Sequence, residues 1–108
     1  MFARILEFEI KMEKKDEFFR TFKNEVLPIL KKAPGFLEVL PFTPEKMTDK
    51  KIFTISLWEN RMNAEKYEKE WYPKVFEHLK TFITSPVTVN FYNVETTVCE
   101  HFVNMLAA

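Results

Sequence analysis

"LPILKKAPGFLEV", residues 27–39, turns a helix into a strand, and the rest of the chain reads outward from that turn. Pro34 cannot continue a helix, and Gly35, the only glycine in the chain, stands where a helix C-terminus often needs a left-handed residue. Upstream, Phe18, Phe22, Val26, Ile29, Leu30 and Ala33 fall on one side of a 3.6-residue helix, predicting a helix over 14–33 that Pro28 should kink. Before it, "FARILEFEI" sets Phe2, Leu6, Phe8 and Ile10 in alternation with Ala3, Ile5, Glu7 and Glu9, a strand with one greasier face. Downstream of the turn, Phe36 to Phe42 and Ile52 to Trp58 read as a hairpin joined by the polar "TPEKMTDKK". A second helix, 61–83, carries an internal Pro73 and should form two segments meeting at an angle. "SPVTVNFYNVE" supplies a fourth strand. In the tail, "TTVCEHFVNMLAA", Thr97 and Glu100 have capping-box spacing, and a short terminal helix is expected.

The order β-α-β-β-α-β defines an α+β, ferredoxin-like domain over residues 1–95, followed by a tail over 96–108. Its four-stranded antiparallel sheet should carry both helices on one face. If Phe53, Ile55, Leu57, Val87, Val89 and Phe91 face the helices, the other face shows Ile5, Thr54, Ser56, Trp58, Tyr92 and Val94 with Glu7 and Glu9. That face is too apolar for open solvent and too polar for a dry core. Packing against a second copy would cover it, so a homodimer through the open sheet face is expected.

Composition narrows the function. Twelve Phe, two Trp and three Tyr in 108 residues give more ring surface than so short a chain readily hides, so some rings should meet a second subunit or a small apolar or aromatic ligand. Sixteen basic and sixteen acidic residues cancel and are interspersed, which argues against nucleic acid as a partner. The single cysteine, Cys99, excludes an intrachain disulfide and any multi-cysteine metal site, and no metal centre is expected. The start lacks a basic-then-apolar secretory signal and no apolar run is long enough to span a membrane; a cytoplasmic protein with no membrane partner is expected.

On a wheel of the second helix, Ala64, Tyr67, Trp71, Val75, His78 and Phe82 fall on one face, predicted to point at the sheet. Tyr67, Trp71 and Phe82 are therefore either ordinary core or the walls of a pocket. His78 on that face is either a packed histidine or a catalytic base, since its pKa needs only a small shift to switch charge near neutrality. Glu7 and Glu9 share a strand face and are either rim ion-pair partners or a coupled pair with one raised pKa. Cys99 and His101 have no partners at a catalytic spacing.

"LPILKKAPGFLEV", a hairpin ending in "SLWEN" and a helix beginning "NAEKYEKE" together resemble the antibiotic biosynthesis monooxygenase (ABM) domain of the dimeric α+β barrel superfamily, over roughly residues 2–95. The resemblance implies a dimeric barrel and, from the quinol-oxidising branch, a cofactor-independent monooxygenase in which Trp58 and Tyr92 are pocket aromatics and Asn90 a polar contact. In such an enzyme an electron-rich aromatic substrate reacts with oxygen itself, once deprotonated in a pocket that excludes water. Two alternatives stand beside it: a non-catalytic barrel that binds a small ligand, and a heme-degrading monooxygenase. The heme-degrading branch uses an asparagine in the first strand, where this chain has Glu7 and Glu9, and a Trp and His spaced more widely than Trp71 and His78.

Overall fold

The computed structural model describes residues 1–46 and 48–98. Strands β1 (Phe2–Glu9), β2 (Phe36–Phe42), β3 (Lys51–Trp58) and β4 (Thr88–Asn93) form one antiparallel sheet in the order β2-β3-β1-β4. The helical segments α1 (Lys15–Thr21), α2 (Leu27–Lys32), α3 (Arg61–Glu70) and α4 (Tyr72–Leu79) bury Phe18, Leu30, Tyr67, Val75 and Leu79 in one cluster with Phe2, Leu6 and Phe8 of β1. This is the expected ferredoxin-like α+β arrangement. Edge strand β2 carries Pro41 opposite Thr54, a position that tolerates a residue with no N–H to donate.

Both predicted helix interruptions are present, in different forms. Between α1 and α2 the backbone widens into a π turn over Phe22–Val26, and the Leu27 N–H reaches back to the Phe22 carbonyl. Pro28 follows in the first turn of α2, where the missing donor costs least. Trp71, with φ −112°, separates α3 from α4, and Pro73 again sits in the first turn of the new segment. Asn60 starts α3 by accepting the Asn63 N–H at 2.9 Å.

Gly35 has φ 80°, as its place after the helix demands. Its carbonyl accepts the Glu59 N–H at 2.9 Å, and the Asn63 side chain fills the space a Cβ would need. The turn after α2 is thereby fastened to the start of α3.

The register corrects the expected faces of β3. Arg4 lies opposite Ser56 and Ile5 opposite Ile55, so Thr54, Ser56 and Trp58 point at the helices, while Phe53, Ile55 and Leu57 belong to the open face. Alternation separates two faces without saying which is inward, and here the open face is the greasier one. For β4 the expectation agrees with the register: Val89 and Phe91 share the helix side with Leu6 and Arg4, and Asn90 and Tyr92 lie opposite Ile5 and Ala3 on the open side.

Core packing has two aromatic ends. Phe18, fully buried, packs against Phe8, Phe19, Phe22 and Phe82 at ring-centroid distances of 5.0–6.2 Å. At the other end Trp58, also fully buried, packs on Phe36 and Tyr67, and Tyr67 on Tyr72. Thr96–Val98 form a single 3₁₀ turn, and the remainder of the expected terminal helix lies outside the described residues. Among the described residues, no helix is long and apolar enough to cross a membrane.

Candidate functional site

Between the two aromatic ends the sheet and helices enclose a cavity of about 30 Å³, walled by Phe22, Val26 and Leu30 on one side and Tyr67, Tyr72 and Val75 on the other. Its floor is the helix side of the sheet, and there the apolar alternation of β1 is broken by one residue. Arg4, in phase with Phe2, Leu6 and Phe8, is only 3 % exposed.

Strand geometry forces the guanidinium up from the sheet beneath the α3–α4 junction. Its Cζ lies 4.3 Å from the Tyr72 ring centroid and 5.1 Å from that of Tyr67, within the range of favourable cation–π attraction. Nε donates to the half-buried carboxylate of Glu68, one helical position after Tyr67. Nη2 is enclosed and finds no hydrogen-bond partner among the described residues.

Of the two hydroxyls on the inward face of β3, that of Ser56 is committed. Ser56 Oγ accepts from Trp58 Nε1 at 2.9 Å and donates to the Arg4 carbonyl at 3.4 Å. Thr54 and Ser56 are both buried beside the cavity, which is why β3 carries hydroxyls on its inward face. Burial pushes the phenols of Tyr67 and Tyr72 up from their usual range, and the Arg4 charge only partly opposes it. Both stay protonated at neutral pH. No carboxylate or imidazole lines the cavity among the described residues.

The residues expected to form a site are dispersed rather than brought together. Tyr67 lines the cavity. Trp58 stands behind it, its ring against Tyr67 at 4.7 Å and its Nε1 bonded to Ser56, and it is not on the open face where the alternation of β3 had put it. Phe82 is core at the far end against Phe18, and Trp71 is half-buried at the break between α3 and α4, with Lys74 beside its ring. Asn90 and Tyr92 lie across the sheet, lining a shallow concavity of about 590 Å³ with Ile5, Phe42, Phe53 and Ile55.

His78 is placed outside the cavity altogether. Its side chain is 39 % exposed, and Nδ1 lies 3.2 Å from Glu25 Oε2 across the outer surface of the helices. The wheel fails because the helix is not continuous: the change of backbone at Trp71 turns α4 so that Val75 and Leu79, rather than His78, face inward. Conversely Arg4, Glu68 and Tyr72 were not singled out from the sequence. A signal for Arg4 was present, since an arginine in register with three apolar residues of a strand must either disrupt the core or serve it.

Among solved structures, the chain is similar to a monooxygenase from the ActVA-Orf6 gene of Streptomyces coelicolor in complex with nanaomycin D, with 13% identity over 87% of each chain and a TM-score of 0.70. It is similar also to SnoaB, a cofactor-independent oxygenase from Streptomyces nogalater, with 14% identity over 92% of this chain and 97% of that one and a TM-score of 0.65. A conserved protein from Methanosarcina mazei matches with 15% identity over 88% of this chain and 94% of that one, at a TM-score of 0.66. Likenesses this remote in sequence establish the fold. No curated protein sequence matches the chain. The family model described as antibiotic biosynthesis monooxygenase matches residues 1–83, and with the hairpin, the Gly35 turn and the break-and-resume second helix all inside that span, the chain belongs to the antibiotic biosynthesis monooxygenase family.

Proposed function

We propose that the protein is a cofactor-independent monooxygenase that oxidises an aromatic, quinol-like substrate in the cavity between sheet and helices. The observation that carries this reading is the cavity itself: ring and aliphatic walls and one buried cation at its floor, in a chain of this family. A quinol in its ionised form is electron-rich enough to reduce oxygen directly, and the protein's part is to hold that form in an apolar, oriented environment. Two of the relatives support the class, one bound to nanaomycin D and the other a cofactor-independent oxygenase.

The cavity, at about 30 Å³, has room for a water molecule or two. A ring-sized ligand needs a pocket of roughly 300 Å³ or more, so binding requires the wall bearing Tyr72 to move outward at the Trp71 break. The same reading includes a homodimer. Phe42, Phe53 and Tyr92 are 47 %, 38 % and 55 % exposed on the open sheet face, and a second copy packed there would cover them.

The deciding experiment is oxygen uptake by metal-free protein with anthrone and with alkyl- and naphtho-hydroquinones. Oxygen consumption matched to formation of a quinone that carries one newly inserted oxygen atom, the other leaving as water, is expected, and binding without consumption would refute the oxygenase reading. That second outcome would favour a non-catalytic ligand-binding barrel, a reading supported by the lack of an imidazole or carboxylate on the cavity lining among the described residues.

A further inference from the structure

We propose that Arg4 is an anion anchor: the ligand is an aromatic compound bearing an anionic oxygen, carboxylate or phenolate, and seats that oxygen on Arg4 Nη2. The inference rests on the reading that the ligand enters this cavity, and not on its being oxidised.

A guanidinium offers five N–H donors in a fixed plane, and it cannot shed its charge to escape burial. Among the described residues Glu68 takes the Nε edge, while Nη2 is enclosed and unpartnered. Buried donors are almost always satisfied, and an enclosed charged donor without an acceptor is costly to keep. The neighbouring groups do not supply the acceptor. Ser56 Oγ is held between Trp58 and the Arg4 carbonyl, the ring of Tyr67 lies over the guanidinium, and the Tyr72 hydroxyl, close enough to Arg4 to feel its charge, leaves Nη2 without an acceptor.

The site is thus half of a charge-assisted pair, with the missing half shaped for an oxyanion on an apolar body. Arg4 lines the same cavity as Phe22, Val26 and Val75, so a ring held by those walls can present its oxygen to Nη2. For a phenol the consequence is chemical as well as geometric. A fixed positive charge next to the oxygen favours the ionised form, so the ligand can bind as the phenolate, its proton released to water, with no imidazole or carboxylate on the wall to remove it.

Calorimetric titration with 2-naphthoate and benzoate, each beside its uncharged amide, tests the anchor on the native protein. The carboxylates are expected to bind at least about tenfold tighter than the amides at neutral pH. Arg4→Gln should erase that preference and Arg4→Lys keep part of it, because lysine retains the charge without the planar fork. A third probe, 2-naphthol, separates the two sources of oxyanion: absorbance of the bound naphtholate at a pH where the free compound is still neutral assigns the phenolate, and a gain confined to the acids assigns the carboxylate.

Amides binding as tightly as acids, no binding of either acid at millimolar concentration, or an Arg4→Gln variant with native circular dichroism and an undiminished preference would each overturn the proposal. Should Arg4→Gln fail to fold, the acid-to-amide ratio on the native protein decides alone. Oxygen uptake with neutral anthrone that is indifferent to Arg4→Gln would end this inference and leave the oxygenase reading standing. Arg4-dependent binding of 2-naphthoate in a protein that oxidises no quinol would do the reverse.

Discussion

Among the described residues Glu68 holds the one anionic contact that Arg4 makes, and replacing it with glutamine should cost more stability than removing Arg4 itself. Loss of one partner from a fully buried ion pair typically costs 3–5 kcal/mol, because the remaining charge is left uncompensated. Arg4 is 3 % exposed, but the Glu68 side chain is 32 % exposed, so part of that attraction is already screened by water. Glu68→Gln should therefore lose about 2 kcal/mol, or roughly 8–16 °C of melting temperature for a domain of this size. Arg4→Met forfeits the attraction to Tyr67 and Tyr72 but also removes a buried cation with an unsatisfied Nη2. These effects nearly cancel, and a change within about 1 kcal/mol is expected. The double variant should match Arg4→Met, since Glu68 has no buried charge left to serve. Urea unfolding followed by circular dichroism on all four proteins completes the cycle. An Arg4→Met loss larger than that of Glu68→Gln would show that the arginine is a net contributor to the fold rather than a group kept at a cost, and the reasoning would be refuted.

At Gly35, alanine would meet both a left-handed backbone and the Asn63 side chain; thermal unfolding should show a loss of about 1–2 kcal/mol from the backbone alone, and Asn63→Ala in the same chain should recover the steric part. Phe53→Lys, on the open sheet face, should leave the circular dichroism spectrum unchanged while light scattering falls from twice the 13.0 kDa chain mass to a single chain; a persistent dimer would place the interface elsewhere. His78→Ala alters an exposed residue, so oxygen uptake per folded molecule should be unchanged and stability shifted by no more than about 0.5 kcal/mol; abolished turnover would bring the outer surface of α4 into the mechanism. Tyr67 ionises in the unfolded chain near its ordinary 10.0 but resists doing so when folded, so the unfolded state binds fewer protons above that pH and stability falls as pH rises through it. Tyr67→Phe should remove about 1.4 kcal/mol per pH unit of that alkaline slope, and an unchanged slope would mean the buried phenol is not responsible.

Element order was legible in the sequence because it depends on short-range features: the 3.6 period of Phe18, Phe22 and Val26, the Gly35 stop, the alternation in β1 and β3. The same features placed both helix interruptions near their prolines. Which face of β3 turns inward was not legible, since its apolar residues Phe53, Ile55 and Leu57 serve the open face and its hydroxyls the cavity. That inversion depends on Arg4 across the sheet, a long-range pairing that no local period encodes. The position of His78 was lost for a related reason. A wheel assumes constant twist, and the widened φ at Trp71 shifts the phase enough to turn Leu79 in and His78 out, while Val75 and Phe82 stay inward where the wheel had them. Tyr67 lies before the break and was placed correctly; His78 lies after it.

Pro41 sits one residue from the end of edge strand β2, opposite Thr54. A strand that lacks a backbone donor near one end, and carries Glu38 toward the other, is a poor template for another strand to add to. Copies of this chain are therefore discouraged from joining along that rim into an extending ribbon, even though Leu40 and Phe42 leave β2 greasy. In the proposed dimer association is through the flat of the sheet, where contact closes after two chains, and a Pro41→Val change that restores the donor should convert that self-limiting assembly into one that polymerises.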